Sequence, residues 1–143
     1  MKRILSAFLA TFLCLFVVAC GGEKTYQDGT YRAEYTEVNE HNYRPYLVLT
    51  VQGGAVTAME FDALAEDGSL LSADEEYRAE MEKLPGTYPQ QYSADLINQY
   101  LVQQNIDQVD VVAGATISTE NFKQLFTALE ASMYAGNTET IYI

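Results

Sequence analysis

Residues 44–64, RPYLVLTVQGGAVTAMEFDAL, constrain the fold of this chain more than any other stretch. Two apolar runs, Tyr46 to Val51 and Ala55 to Ala63, alternate with polar residues on either side of Gly53-Gly54. Alternation with a period of two is the pattern of a strand with one buried face. Two glycines between such runs supply the positive φ angles of a two-residue hairpin turn, whose twist matches that of the strands. A hairpin is marginal in water by itself, so the rest of the chain has to extend the sheet and cover its apolar face. DGTYRAEYTE, residues 28–37, reads as a turn and a further strand, with Tyr31, Ala33 and Tyr35 on one side.

Helical patterns follow. Ser72, with Glu75 three residues on, has the form of a capping box ahead of DEEYRAEMEKL, and Pro85-Gly86 stops that helix. Thr87 with Gln90 repeats the pattern, and Tyr92, Leu96, Tyr100 and Leu101 recur at helical spacing. Val109 to Ala113 reads as a short β run. Phe122, Leu125, Phe126, Leu129 and Met133 mark one apolar face of a last helix, from Thr119 to about Met133. Strands first and helices later predict an α+β fold: a small antiparallel sheet with helices packed on it, in a single domain.

The N-terminus bears on compartment. Lys2 and Arg3 precede an apolar run to Ala19, the layout of a secretory signal. The run is shorter than the roughly 18 or more residues of a spanning helix. It ends in Val17-Val18-Ala19-Cys20 followed by Gly21-Gly22, which resembles a bacterial lipobox, where the cysteine is diacylglycerylated and becomes the new N-terminus. On that reading residues 1–19 are a signal peptide, 20–27 a lipidated tether and 28–143 the domain. Cys20 is then the lipidation site, and the lipid holds the protein at the extracytoplasmic face of the cell membrane. Two buried chains, at about 0.8 kcal/mol per CH₂, anchor a protein stably where one does not. An ordinary signal peptide, or an uncleaved anchor, is the alternative. Cys14 is lost with the signal, so the mature chain has no disulfide and relies on its core.

Charge narrows the partners. The chain carries a net −12 at pH 7, and removal of Lys2 and Arg3 makes it more acidic still. That balance argues against nucleic acid and anionic lipid surfaces. Apolar and aromatic residues are too plentiful for disorder. The chain has eleven tyrosines and no tryptophan, and amphipathic Tyr suits half-exposed strand faces.

The stretch VDVVAGATISTENFKQLFTAL, residues 109–129, carries the chemistry. Gly114 permits a backbone geometry that residues with a Cβ resist, and Ala115 is small enough for something bulky to approach. Thr116 presents a hydroxyl just before Ser118 and Thr119, either of which could cap the helix. The first N–H groups of a helix lack intrahelical partners and carry partial positive charge, so a phosphate can dock there without a lysine. A plain strand–turn–helix connection accounts for the same residues.

Asp110-Val111-Val112-Ala113-Gly114-Ala115-Thr116 resembles the flavinylation motif of the FMN-binding domain family, Asp-x-x-(Ser/Thr)-Gly-Ala-Thr. That family includes flavoprotein subunits of sodium-pumping NADH:quinone oxidoreductases and of related ferredoxin-linked complexes, and small lipoproteins of extracellular electron transfer. DGTY opening a strand, RPYLVLTVQGGAVTAMEFD, DEEYRAEM and the helix from Thr119 resemble the small lipoprotein branch. The resemblance implies FMN as cofactor, esterified through its phosphate to Thr116 by a flavin transferase that uses FAD. It implies that Asp110 serves recognition by the transferase. Ala113, Gly114, Ala115, Ser118 and Thr119 complete the implied cofactor-binding turn. It also implies a redox carrier with a membrane redox partner, more than a stand-alone enzyme. Ala113 stands where the motif has Ser or Thr, which leaves a noncovalently held FMN open. Free FMN carries roughly two negative charges at its phosphate, and its diester carries one. A helix N-terminus worth about 0.3–1 kcal/mol favours the smaller load. Lys123 is the nearby cation, and it reads as a solvated residue.

Other constellations are weaker. His41, the single histidine, sits in EVNEHNY and reads as a surface-loop residue, since a metal site needs more ligands at suitable spacing. AEDGSLLSADEE lacks the ligand spacing of a calcium loop. One His and an acylated Cys furnish no nucleophile–base pair, and no G-x-G-x-x-G unit is present for a nicotinamide. The alternatives to a carrier are a small flavin-dependent reductase, and a surface lipoprotein that binds a ligand or partner without flavin.

Overall fold

The computed structural model describes residues 25–143; the signal peptide, Cys20 and most of the tether lie outside the described residues. Strand β1 (Gly29–Glu34) is followed by the predicted hairpin of β2 (Tyr43–Gln52) and β3 (Ala55–Ala65). Gly53 and Gly54 turn it with φ of +62° and +80°, a pair of left-handed residues that only glycine adopts at little cost. Leu47 lies opposite Phe61 on β3 and opposite Ala33 on β1, so one pleated face gathers Tyr31, Ala33, Leu47, Leu49, Val51 and Phe61. All six are buried.

A fourth strand carries no signal in the sequence. β4 (Ile141–Tyr142) runs parallel to β1, giving the order β3-β2-β1-β4 and a mixed sheet where a purely antiparallel one was expected. Two residues are too few for a period, and their partner is fixed by the path of the chain after the last helix.

Three helices complete the α+β domain: α1 (Glu75–Met81), α2 (Pro89–Gln103) and α3 (Thr116–Ala135). α3 lies over β1 and β2, and α2 over β3. The predicted apolar face of α3 is fully buried, with Phe122 meeting Phe61 edge-on at 5.2 Å between ring centroids. The other face of the sheet is closed by polar groups. Glu34 takes ion pairs from Arg32 at 2.8 Å and Arg44 at 3.4 Å, and Arg32 stacks 4.2 Å from the Tyr46 ring centre. Tyr46 donates its hydroxyl to Glu60; burial and that bond hold the phenol well above its ordinary range.

Three local expectations are corrected. Asp74 caps α1, where the pattern pointed to Ser72: Asp74 Oδ1 accepts from Tyr77 N at 2.8 Å and Oδ2 from the Tyr43 hydroxyl at 2.8 Å. Ser72 sits in a tight turn and gives its N–H to Asp62 Oδ1 at 3.1 Å. Thr87 does not cap α2, which begins at Pro89 behind Tyr88, and Gln90 instead donates to the Ser72 carbonyl. Val109–Ala113 joins no sheet: Val109 to Val112 form no regular element, and Ala113 already lies in the turn. Gln99 of α2 occupies its backbone, accepting from Asp110 N at 2.7 Å and donating to Asp110 O at 3.4 Å. Buried Val109 and half-buried Val112 give it the look of a strand, and a glutamine replaces the neighbour strand.

Candidate functional site

Two glycine turns cross at the start of α3. Gly114 has φ of +81°, and a Cβ there would lie 3.1 Å from Gly86 Cα and 3.2 Å from Thr87 N. Glycine is therefore required both by the backbone angle and by the approach of a second backbone. The crossing ties the entry of α3 to the α1–α2 connection. Ala115 N–H then donates to Val112 O at 2.9 Å and closes the turn.

α3 begins at Thr116 itself, so Ser118 and Thr119 lie inside the helix and neither caps it. Thr119 is buried; its hydroxyl donates to Ala115 O at 2.8 Å and accepts from Val112 N at 3.3 Å, and its own N–H goes to Ala115 O at 2.9 Å. The side chain thus binds both sides of the turn together. Among the described residues, the N–H groups of Thr116, Ile117 and Ser118 meet no backbone or side-chain acceptor, which leaves the positive end of the helix dipole open.

Residues 114–118 form one wall of a cavity of about 430 Å³. Small-molecule sites fall in the range of roughly 300–1,000 Å³. The floor comes from the buried sheet face through Pro45, Phe61 and Ala63, and the opposite walls from Tyr77 and Met81 of α1 and Tyr92 of α2. The rim is the β1–β2 loop, Asn39 to His41. Burial pushes the Tyr92 hydroxyl up to about 12, against a smaller lowering by the Ser118 hydroxyl. Burial, then Glu40 and Asp74, raise the Tyr77 phenol. Both therefore remain hydrogen-bond donors at neutral pH.

Of the residues singled out in the sequence, Gly114, Ala115, Thr116 and Ser118 converge on the cavity. Asp110 and Ala113 are exposed and do not line it, and Thr119 lies buried beneath the turn. His41 is in a surface loop as expected, with 51% of its side chain exposed, yet it borders the same cavity. Tyr77, Tyr92 and His41 line this cavity, a placement that sequence reasoning missed. Their separation from Thr116 along the chain carries no signal, and only the packing of three elements brings them together.

The sequence profile of the FMN-binding domain matches residues 42–129. This chain belongs to the FMN-binding domain family. The match runs from the loop before β2 into the last helix and covers every wall of the cavity except Asn39–His41. This FMN-binding domain protein is 34% identical over 131 residues to the 15 kDa lipoprotein of Treponema pallidum (strain Nichols), a match spanning 90% of this chain and 92% of that protein. Its structure resembles that of the CPE2226 protein from Clostridium perfringens, with a TM-score of 0.78 at 27% identity over 82% of this chain and 97% of that one. A solved structure from Clostridium thermocellum shares the fold, with a TM-score of 0.51 at 21% identity over 74% and 92% of the two chains. No helix among the described residues is long and apolar enough to cross a membrane.

Proposed function

We propose that this FMN-binding domain protein is a lipid-anchored, extracytoplasmic electron carrier that holds FMN through a phosphoester on Thr116. The observation that carries the reading is positional. The Gly-Ala-Thr turn sets Thr116 at the first position of α3, on the wall of an aromatic cavity and beside three open amides. The residues present fit such a group: open N–H groups suit a phosphodiester, and Phe61, Tyr77 and Tyr92 suit a planar ring.

Each residue then has a task. Thr116 Oγ1 would accept the FMN phosphoryl from FAD, with AMP as the leaving group and the hydroxyl proton passing to solvent. The amides of Thr116 to Ser118 hold the single remaining charge. Phe61 and Tyr92 would exclude water from a ring bound in the cavity, and the Tyr92 hydroxyl, protonated at neutral pH, would be available to donate to it. Bound FMN supplies one- and two-electron chemistry, and the protein supplies tethering and orientation. Exposed Asp110 is available to the transferase, and Ala113, where the motif has Ser or Thr, is exposed as well. The lipid anchor is supported by the Cys20 motif and by the lipoprotein relative. The redox partner sits at the membrane.

Co-expression with a flavin transferase tests the reading. Denatured wild-type protein should keep its yellow colour and gain the mass of one FMN less one water, and Thr116→Val should lose the adduct while staying folded. Cys20→Ser should release the protein from membranes with the adduct intact. An adduct that survives in Thr116→Val would move the attachment to Ser118, the next hydroxyl on the cavity. Wild type that takes up no flavin refutes the carrier and favours a surface lipoprotein that binds without flavin.

A further inference from the structure

We propose that His41 balances the charge of the reduced flavin ring, held against the cavity by Tyr77. The proposal rests on Thr116 as the attachment point and extends it to the opposite rim. The cavity lining contains no Lys or Arg and two carboxylates, Glu40 and Asp62. His41 is the one lining side chain able to carry positive charge, and it is the single histidine of the chain.

Its placement is fixed on several sides. The ring meets Tyr77 edge-on, with 5.5 Å between centroids and 71° between planes, and Nε2 lies 3.6 Å from Glu40 Oε1. Asn39 Oδ1 accepts from His41 N at 2.9 Å and from Tyr43 N at 3.1 Å, and Asn42 reverses the chain at φ of +63°. The loop is thus built by a side-chain-to-backbone turn of the kind asparagine favours. Thr116, Tyr77 and His41 line the same cavity, so a flavin attached at Thr116 would share it with His41.

Reduction of bound FMN by an external reductant, with two electrons and one proton from solvent, would leave one negative charge on the ring. In a cavity lined by Glu40 and Asp62 that charge would be unfavourable, and a positive charge on His41 would offset it. The titratable groups facing the site are Glu40 on the same loop, Asp62 of β3, Tyr77 of α1 and Tyr92 of α2. The midpoint potential should therefore be higher with His41 than with a neutral side chain in its place.

Because the tag-free chain has one histidine, its ring NMR signals belong to His41 without ambiguity. Attachment of FMN should shift those signals. His41→Gln, at a half-exposed position, should leave the circular dichroism spectrum unchanged. In the flavinylated protein it should lower the midpoint potential, read by dithionite titration against reference dyes. Unmoved His41 signals in protein whose mass shows FMN attached would overturn the proposal. So would a His41→Gln potential equal to that of wild type. Protein that takes up no FMN overturns the attachment reading and this one with it.

Discussion

Gly114→Ala tests the backbone crossing on which the site is built. The new Cβ would lie 3.1 Å from Gly86 Cα and 3.2 Å from Thr87 N, both backbone atoms that cannot rotate away. The φ of +81° adds a conformational cost of about 1–2 kcal/mol for a residue with a Cβ. The enforced overlap adds about 1–3 kcal/mol, as overpacking does in cores. Stiffening of the unfolded chain by alanine offsets about 0.4–1 kcal/mol. The net loss is roughly 2–4 kcal/mol. Gly53→Ala is the control, since its φ is +62° with nothing within 4 Å of a built Cβ, so only the conformational cost remains. Urea unfolding followed by circular dichroism reads both. With a slope of about 2 kcal/mol per molar urea, Gly114→Ala should lower the midpoint by roughly 1–2 M, and Gly53→Ala by well under that. Equal losses in the two variants, within about 0.5 kcal/mol, would show that the Gly86 crossing gives way and would refute the steric argument.

Thr119→Ala should cost about 1–3 kcal/mol in the same assay by orphaning Val112 N, and Thr119→Ser should recover most of it. Full stability of Thr119→Ala would mean that another group satisfies that amide. The Asp74 cap predicts an acid limb in stability. The backbone bond from Tyr77, then the hydroxyl of Tyr43, hold the Asp74 carboxyl below its ordinary value. Its contribution is therefore present above the usual carboxylate range and is lost as pH falls through the depressed folded value. Urea midpoints from neutral to acid pH should fall less steeply in Asp74→Ala, and parallel curves would refute the assignment.

The sequence alone determines the elements whose neighbours are local. Alternation on both sides of Gly53-Gly54 specifies β2 and β3, because a period of two has one solution on a sheet with one apolar face. Phe122 to Met133 specifies α3 in the same way at 3.6 residues per turn, and Gly114-Ala115-Thr116 marks the turn that opens it. What the sequence leaves undetermined is every choice between groups with the same local chemistry. Ser72 and Asp74 both suit a helix cap, and Asp74 is selected because Tyr43, from a distant strand, reaches its second oxygen. Val109–Ala113 has the residues of a strand, but Gln99 takes the backbone bonds that a sheet would have used. β4 exists only because the chain leaving α3 returns beside β1. His41 is the sharpest case. Between neighbours in sequence it is a loop residue beside acids, and it becomes part of the Thr116 cavity because β2, α1 and α3 pack around one space. Periodicity records which face of an element is buried, whereas a site joins side chains from separate elements whose spacing along the chain carries no physical interaction until they pack.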